Sequence, residues 1–324
     1  MSERIRFGVL GVANIAVKKV IPAMQKCERA EITAIASREL GKAREAAQEL
    51  GIPKAYGSYA ELLADPEIDA IYNPLPNHLH VPWSIKAAEA GKHVLCEKPI
   101  ALSAAECAKL IAVRDRTGVK MAEAFMVATQ PRWLKLREMI RAGRLGKLRS
   151  MVAHYSYFNT DPANVRNVLE WGGGGVMDIG CYPIFFSRWI FGEEPVKVFS
   201  AVERDPAFKT DILTSAILEF SSGRAIFTCG TQLVNHQIVQ FLGTEGRVEM
   251  DWPMNTPPDK PSYLKIYDRA GMVETLEFPA CDQYTTQGDA FAKAIQENAE
   301  VPVTLEGAYK NMQVIERVLA GGDR

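Results

Sequence analysis

The sequence predicts an α/β protein in two parts: a doubly wound parallel sheet first, then an α+β part built on a mostly antiparallel sheet. Short apolar runs alternate with helical stretches up to about residue 124. Beyond residue 145 the apolar runs lengthen, and turn signals such as SSG and GTEG separate several of them. Parallel neighbours need a crossover, whereas successive strands joined by tight turns pair antiparallel. A chain of 324 residues has room for two ordinary domains, and the change of pattern places them at 1–123 and 124–324.

In chain order, RIRFGVLG reads as a strand, VKKVIPAMQKC as a helix, EITAIAS as a strand and GKAREAAQELG as a helix. The short KAYGS and the helical YAELLADP follow, then the strand IDAIYNPL, the helix HLHVPWSIKAAEAG and the strand HVLCEKP. The helix SAAECAKLIAVRDRTG and the strand VKMAEAF close the series. In the second part KLRSMVAHYSYF, VKVFSAVERD, TSAILEFSSG, RAIFTCGTQL and QIVQFLGTEGRVEMDW read as strands, with helices near 283–297 and 305–319 at the end.

Composition narrows the function. Hydrophobic residues make up 47% and charged residues 24%, as in a globular protein with a real core. A formal charge of -1 gives no electrostatic reason to expect nucleic acid or an anionic membrane surface as partner. The basic run Arg132–Arg149 carries Trp133, Leu136 and Ile140 on one helical face, so its charges form the solvated side. Six scattered cysteines without a C-x-x-C or a Cys/His cluster suggest thiols in a reducing compartment and argue against a zinc site. The opening MSERIRFGVLG runs into a strand without a signal-peptide pattern, and no apolar run is long enough to span a bilayer; a cytoplasmic location is expected.

Four stretches carry candidate chemistry. The first strand ends in Gly11-x-Ala13-x-x-Ala16, a variant of the dinucleotide (Rossmann) fingerprint. Gly11 allows the tight turn, Ala13 keeps the loop small, and the helix beginning near Asn14 and Ile15 offers N–H donors to a phosphate. The second strand ends in Ser37-Arg38, with Lys42 four residues on and no acid at the place where NAD sites carry one. A hydroxyl and a guanidinium suit a 2′-phosphate, which favours NADP over NAD; a plain helix cap at Ser37 is the other reading.

The loop NPLPNHLH offers Leu75, Asn77 and His80 at the edge of the sheet where ligands bind. His80 is a candidate ribose or substrate contact, with capping or packing as the alternative. One strand later, Glu97-Lys98-Pro99 ends an apolar run. Lys98 is a candidate partner for the ribose or the reacting oxygen, oriented by Glu97, with a surface ion pair ahead of a helix as the plainer reading; the Lys98–Pro99 bond can be cis at modest cost. Finally, WGGGGVMDIGCY places Asp178 and Tyr182 four apart, on one face if that segment is helical. A tyrosine serves as general acid/base when a neighbouring cation lowers its ordinary pKa of about 10. A helix-start aspartate and a packed tyrosine are the alternative.

Taken in order, the fingerprint, PLPNHLH, EKP, GGGVMDIGCY, GTEGRVEM and DQYTTQGDAFAKAI resemble the glucose–fructose oxidoreductase, inositol dehydrogenase and rhizopine-catabolism (Gfo/Idh/MocA) family over nearly the whole chain. The resemblance implies a nucleotide-binding domain and an open antiparallel sheet that mediates homodimers or homotetramers. It gives Lys98 as the active-site lysine with Glu97 beside it, and Tyr182 as the tyrosine of the pyranose and dihydrodiol branch. Asp178 follows as a contact to substrate or a support for the acid/base group, Arg166 and Trp171 as substrate contacts, and Arg166 with Gly172–Gly174 as part of a loop that closes over cofactor and substrate. The implied activity is NADP-dependent hydride transfer to or from a sugar (pyranose or aldose) or related cyclic polyol. A trans-dihydrodiol dehydrogenase, an oxidoreductase with tightly bound NADP and a non-catalytic NADP/sugar sensor are the alternatives. One departure stands out: Val127-Ala128-Thr129-Gln130 replaces a run of larger groups in many relatives, which implies an altered pocket.

Overall fold

A computed structural model describes residues 3–323, which form two compact units. The first holds six strands, β1 (Ile5–Leu10), β2 (Ala30–Ala36), β3 (Lys54–Tyr56), β4 (Ala70–Asn73), β5 (His93–Cys96) and β6 (Met121–Glu123). All neighbours are parallel, in the order β3-β2-β1-β4-β5-β6. This is the order of a dinucleotide-binding sheet; it reverses between β1 and β4, so a crevice opens beyond their C-terminal ends. The crossovers are α1 (Ile21–Met24) with the helical turn before it, α2 (Leu40–Leu50), α3 (Tyr59–Ala64), α4 (His80–Glu89) and α5 (Ala104–Thr117). Local sequence sets the helix ends. The Ser103 hydroxyl accepts the N–H of Glu106 at 3.2 Å, and α5 stops at Gly118, where φ is +73°.

The core of this unit joins Phe7, Val9, Tyr72, Leu95 and Ala122 of the sheet to Val20, Ile21 and Met24 of the first helix. Phe291 and Ala292, from far along the chain, complete it. Full burial of one phenylalanine is worth roughly 2–3 kcal/mol. A side chain at Gly288 would come within 2.8 Å of the Cys27 sulfur, so the glycine lets the late helix approach the first one. The compact units therefore divide the chain as residues up to Thr129 plus Asp282–Tyr309, and Gln130–Cys281 plus the remainder. The expected domains 1–123 and 124–324 gave the whole later stretch to the second unit. The helix at 283–296 returns to the first because its apolar face completes that core.

The second unit carries α6 (Pro131–Arg141), α7 (Cys181–Phe191) and strands β7 (Leu148–Phe158), β8 (Lys197–Arg204), β9 (Asp211–Glu219), β10 (Arg224–Gly230), β11 (Gln232–Gly243), β12 (Gly246–Asp251), β13 (Ser262–Asp268) and β14 (Met272–Phe278). They run in the order β14-β13-β12-β11-β7-β10-β9-β8, antiparallel except for β7 against β10. Along β7, Met151, Ala153 and Tyr155 are buried, while Val152 is exposed. Trp133 of α6 lies 4.2 Å from the ring of Phe186 on α7 and packs edge-on against Phe241 of β11. Neither β13 nor the edge strand β14 was among the expected strands. Five of the seven residues of β14 are exposed, so this edge strand leaves little hydrophobic alternation to read. The chain ends with α8 (Gln283–Gln296) and α9 (Leu305–Leu319). Among the described residues, no helix is long and apolar enough to cross a membrane.

Candidate active site

At the end of β1, Gly11 has φ +84° and donates its N–H to Ala36 at 2.8 Å. A Cβ there would lie 3.0 Å from Leu75, so the loop after β4 closes over the glycine, and two of the sequence-predicted residues meet. The Ala13 carbonyl accepts the N–H of Val17 at 3.0 Å, and the helix starts there. The amides that follow, at Asn14 and Ile15, belong to the first turn, where N–H groups have no intrahelical acceptor. Exposed Asn14, small Ala13 and a glycine without a Cβ suit the close approach of a pyrophosphate. At the end of β2, the Ser37 hydroxyl accepts the N–H of Glu39 at 3.3 Å, a local turn and not a cap of α2. Arg38 is exposed. Lys42, also exposed, pairs with Glu39 at 2.7 Å, so its contact is with its own helix start.

The ends of β4 and β5 are tied together. The Asn73 side chain donates to the His80 carbonyl at 3.0 Å and to Ser84 at 3.1 Å, and accepts the N–H of Leu75 at 3.3 Å. The ring of His80 is 1% exposed, with Nδ1 2.8 Å from the Pro99 carbonyl and Nε2 2.6 Å from the Leu75 carbonyl. The ring is packed between the two loops, where its single N–H in the neutral form can donate to one of these carbonyls, and it is not presented to a ligand, which supports the packing alternative. Burial lowers its pKa to about 4, outweighing the two carbonyls that favour the charged ring. Asn77 sits half-buried in a short turn before α4. The Lys98–Pro99 bond is cis. Tyr72 donates to Glu97 Oε1 at 2.7 Å, and the Lys98 N–H reaches Glu97 Oε2 at 3.3 Å. Glu123, 3% exposed, accepts the N–H of Ile100 at 2.8 Å and holds the chain just beyond the proline.

In the second unit the glycine run has a steric cause. A Cβ at Gly173 would strike the carbonyls of Arg166 and Val168, and one at Gly174 would strike the carboxylate of Asp211. Asp211, 2% exposed, accepts the Val176 N–H at 2.6 Å and so holds the start of the helical turn Val176–Gly180 that leads into α7. Burial pushes its carboxyl above the usual range. Helical geometry runs from Val176 through α7, so Asp178 and Tyr182 lie one turn apart, with Pro183 tolerated near the helix start. Asp178 Oδ2 accepts from Arg166 Nε at 2.7 Å and from the Tyr157 hydroxyl at 2.7 Å. The Asp178 charge holds the Arg166 guanidinium above its ordinary value, and burial does the same for the Tyr157 phenol. Tyr182 is 5% exposed, its ring 6.1 Å from that of Tyr155, whose oxygen accepts from Asn255 at 2.7 Å. Trp171 is 40% exposed, in the turn before Gly172.

The structure therefore joins Gly11 to Leu75, His80 to the loop of Lys98–Pro99, and Arg166 to Asp178. Sequence reasoning missed Tyr72, Glu123, Tyr157 and Asp211. Polar groups inside otherwise apolar strands, as in DAIYN and VKMAEAF, were the available signal. The departure at 127–130 has a packing role within the protein: Val127 and Ala128 are buried, and Gln130 donates to Thr256 at 2.9 Å.

Residues 5–125 match the oxidoreductase family with an NAD-binding Rossmann fold, and residues 133–249 match the GFO/IDH/MocA C-terminal domain. A D-xylose 1-dehydrogenase (NADP(+)) of Haloferax volcanii is 38% identical over 314 residues, covering 96% of this chain and 95% of its own. The chain belongs to the GFO/IDH/MocA oxidoreductase family. The solved structure of a 3-ketoreductase from Actinomadura kijaniata, in complex with NADP and TDP-benzene, aligns with this GFO/IDH/MocA protein at TM-score 0.92 and 28% identity, over 98% of each chain. An aldose-aldose oxidoreductase from Caulobacter crescentus, complexed with glycerol, aligns at TM-score 0.90 and 27% identity, over 98% and 97%.

Proposed function

We propose that the protein is an NADP-dependent oxidoreductase acting on a CH–OH carbon of an aldose, a pyranose or a related cyclic polyol. The observation that carries this reading is Asp178, held by Arg166 and Tyr157 one helical turn before Tyr182. A carboxylate paired with a guanidinium and a phenol one turn further on suit recognition of a polyhydroxyl ring. When bound, the nicotinamide supplies the hydride acceptor or donor. In the oxidation direction Tyr182 takes the hydroxyl proton, and Lys98 binds the reacting oxygen. Positioned acid/base catalysis of this kind contributes typically ~10²–10⁴-fold. Asp178, Arg166 and Trp171 hold the sugar. Gly11, Ala13, Asn14 and Ile15 hold the pyrophosphate, while Ser37 and exposed Arg38 hold the 2′-phosphate. The names of the relatives support both the cofactor and the substrate class. Six free thiols support a reducing, cytoplasmic setting.

A homo-oligomer through the C-terminal sheet is part of the same reading. Val152, Ile226, Ile217 and Phe199 are successive partners across four strands, 38–43% exposed, and form one apolar row on the outer face. A second copy of the chain laid on this row would remove it from water.

The deciding experiment is NADPH formation by purified protein with NADP⁺ and a panel of aldoses, inositols and cyclic diols. Turnover of aldoses is expected. Turnover of apolar diols alone would select a dihydrodiol dehydrogenase, and silence from protein that binds NADPH would overturn the dehydrogenase reading.

A further inference from the structure

We infer that Tyr72, which the sequence motifs pass over, is a positioning residue that sets the orientation of Glu97 and Lys98. The inference rests on the role of Lys98 proposed above. Tyr72 lies on β4 opposite Leu95 of β5, and Glu97 follows Leu95 by two residues. Glu97 lies one residue past β5, but its N–H still donates to the Asn73 carbonyl at 3.0 Å, so the extended pairing runs on and its side chain falls on the face of Leu95 and Tyr72. The Tyr72 hydroxyl stands 2.7 Å from Glu97 Oε1, while Glu97 Oε2 accepts the N–H of Lys98 at 3.3 Å. The carboxylate is thereby gripped at both oxygens, and the residue that follows it is the candidate catalytic lysine.

Packing alone does not require the hydroxyl. Tyr72 is fully buried in the core that contains Phe7, Leu95 and Phe291, where a phenylalanine ring would fill the same space. Burial, helped by the Glu97 charge, holds the phenol well above its ordinary pKa. The hydroxyl therefore stays protonated and remains a donor to the carboxylate. The next residue does the same work on the opposite face, where Asn73 fixes the loop that carries Leu75 and His80. Two consecutive residues of β4 thus hold the two loops beyond the C-terminal ends of β4 and β5. Tyr72 reaches the chemistry through Glu97 and touches no reacting atom itself.

The test is a double-mutant cycle of wild type, Tyr72→Phe, Glu97→Ala and the double variant. NADP⁺ affinity is read by calorimetry, and kcat and KM with the substrate that the panel yields. Tyr72→Phe is expected to lower kcat about tenfold and weaken NADP⁺ about threefold while KM for the substrate stays within about twofold, the size of one hydrogen bond to a charged group. In the Glu97→Ala background the same substitution is expected to change nothing further. Additive losses would show that Tyr72 acts by packing and would overturn the inference alone. A wild type that binds no nicotinamide nucleotide would overturn the parent reading and this one with it. Should Tyr72→Phe fail to fold, a core role is shown and the positioning role is lost.

Discussion

Arg166 and Asp178 meet at 2.7 Å across the glycine run that separates them in the chain. The same carboxylate oxygen takes the hydroxyl of Tyr157 from β7, so three segments converge on one atom. The glycines make this convergence sterically feasible. Gly174, at φ +120°, sits against the buried carboxylate of Asp211, which holds the helix start from the other side.

Gly174→Ala should therefore destabilise the protein by about 2–4 kcal/mol, from left-handed strain plus the clash. Denaturant midpoints measure it. An unchanged midpoint would show that the loop yields at no cost.

Tyr182→Phe should cut kcat by ~10²–10⁴-fold and leave NADPH affinity within about twofold. Stopped-flow turnover and fluorescence titration give the two numbers. Loss of cofactor binding together with activity would count against Tyr182 as the acid/base group.

Arg38→Ala should weaken NADP(H) about tenfold or more and leave NAD(H) almost untouched, since a guanidinium lends a charge-assisted pair only to a 2′-phosphate. The ratio of the two dissociation constants is the measurement. A constant ratio would remove Arg38 from the cofactor site.

Acid should loosen the fold through His80. Its pKa is about 4 in the folded protein against a model value of 6.5, so between these values the unfolded chain binds a proton that the folded one refuses. Stability is then full above about pH 6.5 and falls as pH drops toward about 4, by up to about 3 kcal/mol. His93 and His154 are also held low, mainly by burial, and act in the same direction. The share due to His80 is the part of the pH slope that His80→Gln removes. An equal slope in the variant would mean that the ring is charged in both states.

Ile226→Arg should convert an oligomer to a monomer, because it places a charge in the middle of the exposed row Val152–Ile226–Ile217–Phe199. Sedimentation velocity reads the outcome. An oligomer that survives the change must use another surface.

Much of the first unit was legible because a parallel sheet writes itself locally. Each strand of the alternating series in 1–124 lies where its apolar run lies, and GVLGVANIA falls at the strand-to-helix turn that its small residues require. The helical link from Asp178 to Tyr182 was likewise carried by spacing. The exposed strand β14 and the return of α8 to the first unit were not legible. A strand at an edge has weak alternation, and an apolar helix face does not announce which core it fills.

By itself the sequence determined the fold class, the family motifs and the residues able to do chemistry, since these depend on side-chain type and short-range period. Tertiary structure decided what those residues are bound to. Only the folded sheet sets Tyr72 beside Glu97, 25 positions later, and only the closed loops show that the ring of His80 is already packed between the carbonyls of Leu75 and Pro99. The reason is physical. Periodicity is fixed by the backbone of each segment, whereas a buried hydrogen bond needs two groups far apart in the chain to be brought together and stripped of water, and that is settled when the core closes.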